Sequence, residues 1–323
     1  MDYIDTTLKV QTPAGYNVLL PKTTPDQAGT YSKEHIDALE QAQNDHFAQL
    51  VRSNILHNWN LHKPVNRRAL TSYPELPSVS YCIDRWKITN APLTINDGYI
   101  TFGKSSPAAG HASFYQIVEF PELYRGLTLT FSVKVRNTGA NSARIRVSDN
   151  LTYFAQAMIP ATGAWVTVSA TGIVDANASN LSAEIVYLSG ETATIDVQAV
   201  KLELGNTSTL ANDPPMDLGK ELTVCQRYQL VLSNAIVVRA QSIAANSIYF
   251  RYETPVPMRI APTFIDNINV ANIYGTAQPG FVNGVYIDQM TQHSLRFRTD
   301  LTAHGMTDAV IIIPAGTILD ANL

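Results

Sequence analysis

The chain carries little charge: Asp, Glu, Lys and Arg make up 15% of its 323 residues, against about 25% in an ordinary soluble domain. So few charges, together with a hydrophobic share of 45%, exclude a disordered acidic or basic chain and a charge-rich coiled-coil rod. Uncharged polar residues, with 17 Gly and 17 Pro, make up the difference. This composition is typical of a β-rich protein whose outer faces are polar but neutral.

Basic clusters and long apolar runs are also missing. The 23 basic residues form no run longer than Arg67–Arg68, so the sequence predicts no nucleic-acid partner. The longest apolar run, Ala309–Ile313, is far shorter than the roughly 18 residues that span a bilayer, so no membrane insertion is expected. The start, Met1–Asp5, lacks the basic and apolar regions of a signal peptide, which predicts synthesis and folding in a cytoplasm.

Cysteines and catalytic motifs are equally scarce. The two cysteines, Cys82 and Cys225, are 143 residues apart, and without a secretion signal two reduced thiols are favoured over a disulfide. No zinc-protease helix motif, glycine-rich phosphate loop or Gly-x-Ser-x-Gly elbow is present. We therefore expect no enzymatic activity and no cofactor, and the sequence identifies no metal-ligating residues. Four acids that could be imagined as a hydrolytic pair are better explained as solvated or turn-capping groups: Glu119, Glu122, Asp149 and Asp175.

The N-terminal residues 1–32 contain two short predicted strands, Thr6–Val10 and Tyr16–Leu20, on either side of the turn at Pro13–Gly15. About thirty residues cannot bury a core alone, so this segment is expected to lean on another chain or partner. The patterns of the whole chain predict five segments: residues 1–32 for attachment, 33–57 helical, 58–204 a jelly roll, 205–221 a turn-rich linker and 222–323 a second β-sandwich domain.

The helix is predicted from a cap and a narrow apolar stripe. Ser32 suits an N-cap, and the pair Ile36/Leu39 recurs eleven residues later as Phe47/Leu50. The rest of the helix surface is polar, which favours a parallel oligomeric bundle. The alternative is that the helix packs on its own β domain.

Beyond residue 58 the helical pattern disappears and short strands recur between turns. Leu127–Arg136 alternates strictly between apolar and polar residues, which indicates a strand with one face buried. About eight strands in roughly 140 residues predict an antiparallel sandwich of jelly-roll type. The stronger strand patterns lie at Cys82–Thr89, Tyr99–Gly103, Phe114–Phe120, Leu127–Arg136, Ala143–Val147, Trp165–Val174, Ala183–Leu188 and Thr194–Leu204.

Several short motifs resemble those of phage tail-fibre and baseplate-type virion proteins. The specific ones are Cys225–Tyr228 ("CQRY") and Pro255–Thr263 ("PVPMR.APT"), preceded by Lys201–Gly205 ("KLELG"). Other matching segments resemble the beginning of the family's carbohydrate-binding-module-like jelly roll, an N-terminal stretch and the chain end: Asn58–Trp59, Pro64–Arg68, Ile83–Trp86, Leu20–Thr23 and Ile318–Leu323.

The resemblance implies a homotrimeric virion appendage, made in the host cytoplasm and assembled into the virion. In this view residues 1–32 bind other virion proteins, and the β domains present a surface to host glycans. The helix trimerises through the apolar stripe of Ile36, Leu39, Phe47 and Leu50. One alternative is a head or neck decoration fibre without a receptor role. Another is a polysaccharide depolymerase, although the sequence has no β-helix repeat of the kind those enzymes carry.

Glycan recognition calls for exposed aromatic faces beside neutral polar groups. Tyr99 follows the predicted hairpin turn Asn96–Gly98, so its ring is expected to be exposed. For each tryptophan the alternative is a place in the sandwich core. The residues predicted to bind carbohydrate are Trp86, Tyr99, Tyr115 and Trp165.

Overall fold

The structure is a computed structural model, and it describes residues 9–11, 17–19, 52–75, 79–104, 110–139, 143–188, 193–232, 236–244, 247–265, 271–275, 280–282, 285–300, 308–313 and 315–321. The chain divides into two units, Met1–Leu50 and Val51–Leu323. In the first unit, β1 (Lys9–Gln11) pairs antiparallel with β2 (Asn17–Leu19), which confirms the two predicted strands. The trimerisation stripe of Ile36, Leu39, Phe47 and Leu50 lies outside the described residues, so the bundle stays a prediction.

Two antiparallel sheets built from the described residues 72–204 enclose one apolar core. Sheet I has the strand order β12-β9-β14-β7-β6-β3, and sheet II has the order β11-β10-β13-β8-β5-β4. The mainly β fold and its sandwich of sheets are thereby confirmed. The strands are β3 (Ser72–Tyr73), β4 (Ser80–Tyr81), β5 (Lys87–Thr89), β6 (Leu93–Asn96), β7 (Tyr99–Lys104), β8 (Ala112–Ile117), β9 (Thr128–Asn137), β10 (Ala143–Ser148), β11 (Tyr153–Ile159), β12 (Trp165–Ile173), β13 (Ser182–Tyr187) and β14 (Ala193–Leu204).

The core follows from the two-residue period of the strands. In β9, Leu129, Phe131, Val133 and Val135 are fully buried, and they alternate with residues on the outer face of sheet I. Sheet II contributes its own inward side chains, such as Phe114 of β8. Because each apolar side chain removed from water contributes roughly 1.5–3 kcal/mol, this layer is the main source of stability.

The predicted strand Cys82–Thr89 is wrong in its first half, because a tight turn occupies it. The Trp86 N–H donates to the Ile83 C=O, and the Cys82 N–H donates to the Trp86 C=O, both at 3.0 Å. Arg85 takes a left-handed backbone conformation with φ of 73° at this turn. The two sheets also contain four strands that no sequence pattern predicted, β3, β4, β6 and β11. The Ala-Gln-Ala stretch in β11 has weak strand preference, which hid it.

The prediction of a linker over residues 205–221 is wrong in its last part, because a helix begins there. After the short 3₁₀ turn Leu210–Asn212, helix α1 runs over Leu218–Tyr228. Asp217 caps it, since the Asp217 side chain accepts from the N–H groups of Gly219 and Lys220. The sequence predicted a turn here because of Pro214, Pro215 and Gly219. All three lie before the helix or in its first turn, where proline and glycine do not disrupt helical hydrogen bonds. The predicted strand Tyr228–Leu232 therefore begins only at Gln229, after the helix ends.

Residues 52–57, at the end of the predicted helix, are not helical. They run beside β14, where the Ile55 N–H donates to the Leu202 C=O at 2.8 Å. The Asn54 side chain donates to the Val200 C=O at 2.9 Å and accepts from the Leu202 N–H at 3.1 Å. These sheet-like contacts replace the helical hydrogen bonds that the sequence pattern suggested.

The C-terminal strands form a three-stranded sheet, β15-β24-β18, and a seven-stranded sheet, β20-β19-β23-β16-β17-β22-β21. Residues 254–262, which carry the PVPMR motif, form no strand and connect β17 to β18, because proline has no N–H to donate to a neighbouring strand. The separation of residues 222–323 as a second sandwich domain stays a prediction. The strands are β15 (Gln229–Val231), β16 (Ile236–Ala244), β17 (Ser247–Glu253), β18 (Thr263–Ile265), β19 (Ala271–Gly275), β20 (Gly280–Val282), β21 (Val285–Met290), β22 (Ser294–Asp300), β23 (Asp308–Ile313) and β24 (Ile318–Asp320).

Both cysteines are buried free thiols, which confirms the prediction of two unpaired cysteines. Burial raises the pKa of the Cys82 thiol to about 12, so this thiol stays protonated and unreactive at neutral pH. Within the described part of the chain, no helix has both the length and the apolar character of a bilayer span.

Candidate functional site

A row of side chains crosses the outer face of sheet I. Strand pairing places Trp165 of β12 opposite Arg136 of β9, Arg136 opposite Asp196 of β14, Asp196 opposite Thr101 of β7, and Thr101 opposite Thr94 of β6. Residues directly opposite in neighbouring strands lie on one face of a sheet. Their neighbours along β9 and β14 are buried in the core. The row therefore faces away from the core.

The polar members of this row are joined by hydrogen bonds. Arg136 donates from Nε and Nη2 to Oδ2 of Asp196, at 2.9 and 2.6 Å. The Thr101 hydroxyl donates to Oδ1 of Asp196 at 2.8 Å and accepts from Nδ2 of Asn96 at 2.7 Å. The guanidinium and the carboxylate compensate each other's charge, so the row is polar without net charge.

Two half-buried aromatic rings stand at the Arg136 end of the row. The ring centres of Tyr99 and Trp165 are 6.0 Å apart, and the ring planes meet at 69°. The guanidinium carbon of Arg136 lies 5.4 Å from the Tyr99 ring centre and 4.9 Å from that of Trp165. Cation–π contacts of this kind fix ring orientation. The result is two apolar ring surfaces, set at a steep angle to each other, beside hydroxyl, amide and charged groups.

The structure brings together two of the four residues predicted to bind carbohydrate, Tyr99 and Trp165. Tyr115 lies on β8 of sheet II, opposite Lys87 and Glu184, on the other outer face of the sandwich. Tyr115 therefore cannot share a site with the Tyr99–Trp165 pair.

Trp86 is the clear correction among the predicted site residues. Its side chain is 0% exposed, its ring stacks on Phe114 with ring centres 4.5 Å apart, and its Nε1 donates to the Asn58 C=O at 3.0 Å. A tryptophan with no exposed face cannot stack on a sugar. Trp86 is a core residue, because the turn before β5 directs its ring between the sheets.

Three polar residues of the site, Arg136, Asp196 and Thr101, were missed in the sequence. The alternation of β9 does place Arg136 on the polar face, so a signal for that residue was present. In the sequence, Asp196 is 60 residues from Arg136 and 95 residues from Thr101. Only the order of the strands in sheet I brings these three residues into one row. Periodicity within one strand carries no information about such partners.

Three of the four acids considered for catalysis, Glu119, Asp149 and Asp175, have structural partners. Asp149 accepts from the backbone N–H groups of Leu151, Thr152 and Asp175, and Asp175 accepts from that of Asn177. Both aspartates cap turns. In the part of the chain that the structure describes, no group of three or more His, Cys, Asp or Glu side chains is placed to hold a metal ion.

Solved structures similar to this chain include several carbohydrate-binding modules. One, described under "CBM4 structure and function", is 20% identical over 39% of this chain and 81% of that chain, with a TM-score of 0.30. The Clostridium thermocellum xylanase Xyn10B CBM22-1–GH10 modules with xylohexaose are 16% identical over 49% of this chain and 30% of that chain, with a TM-score of 0.31. A family 29 module, CBM29-2, is 15% identical over 46% and 99%, with a TM-score of 0.29.

No protein-family model and no curated protein matches the chain. At TM-scores near 0.3, the likeness to the solved structures decides neither the ligand nor the residues that would bind it.

Proposed function

We propose that the chain is a structural, non-enzymatic subunit of a phage virion appendage, a tail fibre or receptor-binding protein, that binds neutral host-surface glycan on the outer face of sheet I. The observation that carries the glycan part is the half-buried Tyr99–Trp165 pair, held by Arg136 next to a row of hydrogen-bonding side chains. The virion part rests on the CQRY, PVPMR and KLELG motifs and their resemblance to phage proteins.

The geometry of the face suits a neutral sugar. The C–H surface of a pyranose ring packs on an aromatic ring, and its hydroxyls need donors and acceptors at the side. Trp165 and Tyr99 supply the rings, while Thr101 and Asn96 supply a hydroxyl and an amide. Arg136 is already paired with Asp196, so the Arg136 guanidinium offers an acidic sugar no free cation.

The family motifs have a physical role that is compatible with this proposal. The Arg259 N–H of PVPMR donates to the Arg227 C=O of CQRY at 2.7 Å, and the Ala321 N–H near the chain end donates to the Tyr228 C=O at 2.7 Å. Within and beside CQRY, Arg227 pairs with Glu119, and Glu221 accepts from the Asn58 N–H. These motifs join distant segments, and none of their residues belongs to the row of Trp165, Arg136, Asp196 and Thr101.

Replacing Trp165 with Ala is expected to weaken binding of neutral oligosaccharides at least about tenfold, because the main apolar contact is lost. The measurement is calorimetric titration of the full chain with glucan, mannan and galactan hexasaccharides. Ile173→Ala is the matched control, since Ile173 is 63% exposed on the same strand, eight residues from Trp165. Absence of binding to all three sugars, or an equal loss in the control, would count against glycan recognition by this face.

The oligomeric part of the proposal has its own test. Light scattering of the full chain is expected to give the mass of three chains, and Leu39→Asp combined with Leu50→Asp is expected to give one chain, because charges would enter the apolar stripe. Leu123→Asp, at a side chain 66% exposed in the second unit, is the control and should leave the trimer intact. An unchanged mass in the double variant would refute the bundle.

The place of the protein in the virion separates the proposal from the main alternative. Antibody labelling of virions viewed by cryo-electron microscopy is expected to mark the tail or baseplate. Labelling of the head or neck would favour a decoration fibre instead. Release of reducing sugar from host polysaccharide by the purified chain would replace the non-enzymatic proposal with a depolymerase.

A further inference from the structure

A cleft of about 710 Å³ lies away from the outer face of sheet I. Its walls are residues 52–57, the segment that follows β8, and the last turn of α1. The charged groups that line it are three arginines, Arg52, Arg85 and Arg227, and one carboxylate, Glu119. The cleft therefore carries more positive than negative charge.

Arg85 is a buried cation at this cleft, and only 4% of it is exposed. Its Nη2 donates to the Ile117 C=O at 3.0 Å, and its guanidinium carbon lies 3.5 Å from the ring centre of Tyr228. Among the described residues no carboxylate forms an ion pair with Arg85, and its Nε has no hydrogen-bond partner. Buried charges are normally paired with an opposite charge. Because Arg85 has no such partner, its guanidinium gives the cleft a positive electrostatic potential.

Arg227 and Arg52 sit nearer to solvent than Arg85. The Arg227 side chain is 45% exposed, and its Nη2 is 3.3 Å from Oε1 of Glu119. Arg52 donates from Nη1 to the Thr207 C=O at 3.1 Å. Glu119 also accepts from the Tyr228 hydroxyl, so its charge is shared between two donors. Arg227 is therefore held only by a long, partly exposed ion pair with Glu119, which a ligand oxyanion can replace.

His57 responds to the same potential. Burial, followed by the positive charges of Arg85 and Arg227, lowers the pKa of His57 to about 4. The imidazole is therefore neutral near pH 7 and adds hydrogen-bonding capacity without charge. The His57 backbone is held by Gln116, whose side chain accepts from the His57 N–H at 2.8 Å and donates to the His57 C=O at 2.7 Å.

We propose that this cleft binds the carboxylate or phosphate group of an acidic saccharide. Arg227 and Arg52 donate to the oxyanion, and Arg85 supplies fixed positive charge behind them. The volume lies in the range of roughly 300–1,000 Å³ typical of organic-ligand pockets and far exceeds the space of one small inorganic ion. Tyr124 and Phe120 line the same cleft and offer rings to the sugar. This ligand class and this surface both differ from those of the neutral-glycan face.

The test is an NMR titration of the full chain with glucuronic acid, glucose 6-phosphate, inorganic phosphate and glucose at one ionic strength. The two acidic sugars are expected to bind at least about tenfold more tightly than glucose, because charge-assisted hydrogen bonds form only with them. Arg227→Gln is expected to weaken them about tenfold. Glu119→Gln is expected to bind them several-fold more tightly, since it removes the competing carboxylate and frees Arg227.

Arg251→Gln is the matched control, because Arg251 is 68% exposed and its partner Glu253 lies outside the cleft. If inorganic phosphate binds as tightly as glucose 6-phosphate, the cleft binds an adventitious ion only. If glucose binds as tightly as the acidic sugars, charge has no role in binding. An unchanged affinity in both Arg227→Gln and Glu119→Gln would also overturn the proposal. Trp165→Ala should leave acid binding intact, so failure of the neutral-glycan face and failure of the cleft are separate results.

Discussion

Lys201→Met is expected to lower the free energy of unfolding by about 3–5 kcal/mol, because it leaves buried carboxylates without their cation. Lys201 is 0% exposed and belongs to the KLELG motif on β14. Its Nζ donates to Oγ1 of Thr209 at 2.9 Å and to the Asp213 carboxylate, and it lies 3.8 Å from Oε2 of Glu203. Methionine fills nearly the same space, so the loss reports the charge and not a cavity.

The pH dependence of this loss follows from Asp213. Burial raises the pKa of the Asp213 carboxyl above its ordinary value, although Lys201 opposes the shift. An acid with a raised pKa in the folded state holds its proton more tightly there than in the unfolded chain, so its destabilising effect fades as the pH falls through the folded pKa. Without Lys201 this pKa rises further. The deficit of Lys201→Met is therefore expected to shrink between pH 7 and pH 5.

Urea unfolding at both pH values measures this effect, with Lys134→Met as the control. Lys134 is exposed on the neighbouring strand β9, so its replacement should change stability by less than about 0.5 kcal/mol. Adding Asp213→Asn to Lys201→Met is expected to restore part of the loss, because the two residues interact directly. Equal stabilities of the Lys201 and Lys134 variants would show that the buried charges contribute nothing.

Asn58→Ala is expected to cost about 4 kcal/mol, because Asn58 satisfies several buried backbone groups at once. Its Nδ2 donates to the C=O groups of Val65 and Asp84, each at 2.8 Å, and its Oδ1 accepts from the Val65 N–H at 2.7 Å. Asn58 is 0% exposed and has a φ of 54°, a left-handed conformation that alanine adopts less readily.

Asn150→Ala separates the backbone contribution from the buried hydrogen bonds, because, among the described residues, the Asn150 side chain accepts only from the exposed Ser179 N–H and hydroxyl, at 3.3 and 3.1 Å. Asn150 also has positive φ, 62°, but it is exposed, so its replacement is expected to cost only about 1 kcal/mol. Thermal and urea unfolding of the two variants at pH 7 compare these costs directly. If both variants lose the same stability, the buried hydrogen bonds of Asn58 are not the reason for its effect.

The strands of the sandwich were predictable wherever one face alternated, and β9 is the best example. Features that depend on contacts between distant segments were not predictable from pattern. Lys201 and Glu203 alternate with apolar residues, a pattern typical of a solvated face, yet Thr209 and Asp213 cover them. Helix α1 was missed for the same reason, because its buried face needs contacts such as that of Tyr228 with Arg85.

The candidate site shows the same division between local and distant information. The aromatic residues Tyr99 and Trp165 were identified by type and by the hairpin turn, which are local signals. Their placement 6.0 Å apart, and the neutral Arg136–Asp196 pair beside them, depend on the order of strands in sheet I. The prediction of Trp86 as a site residue was wrong, because the surrounding fold decides whether a tryptophan is buried.

The internal pairing of Arg136 with Asp196 has a consequence for where such a protein can work. Raising ionic strength from 0.01 M to 1 M shortens the Debye length from about 30 Å to about 3 Å, and this weakens adhesion that relies on attraction between net charges. Adhesion through rings and neutral hydrogen bonds has little to lose in this way. A particle that carried such a face would bind its sugar with nearly the same affinity at low and at high ionic strength.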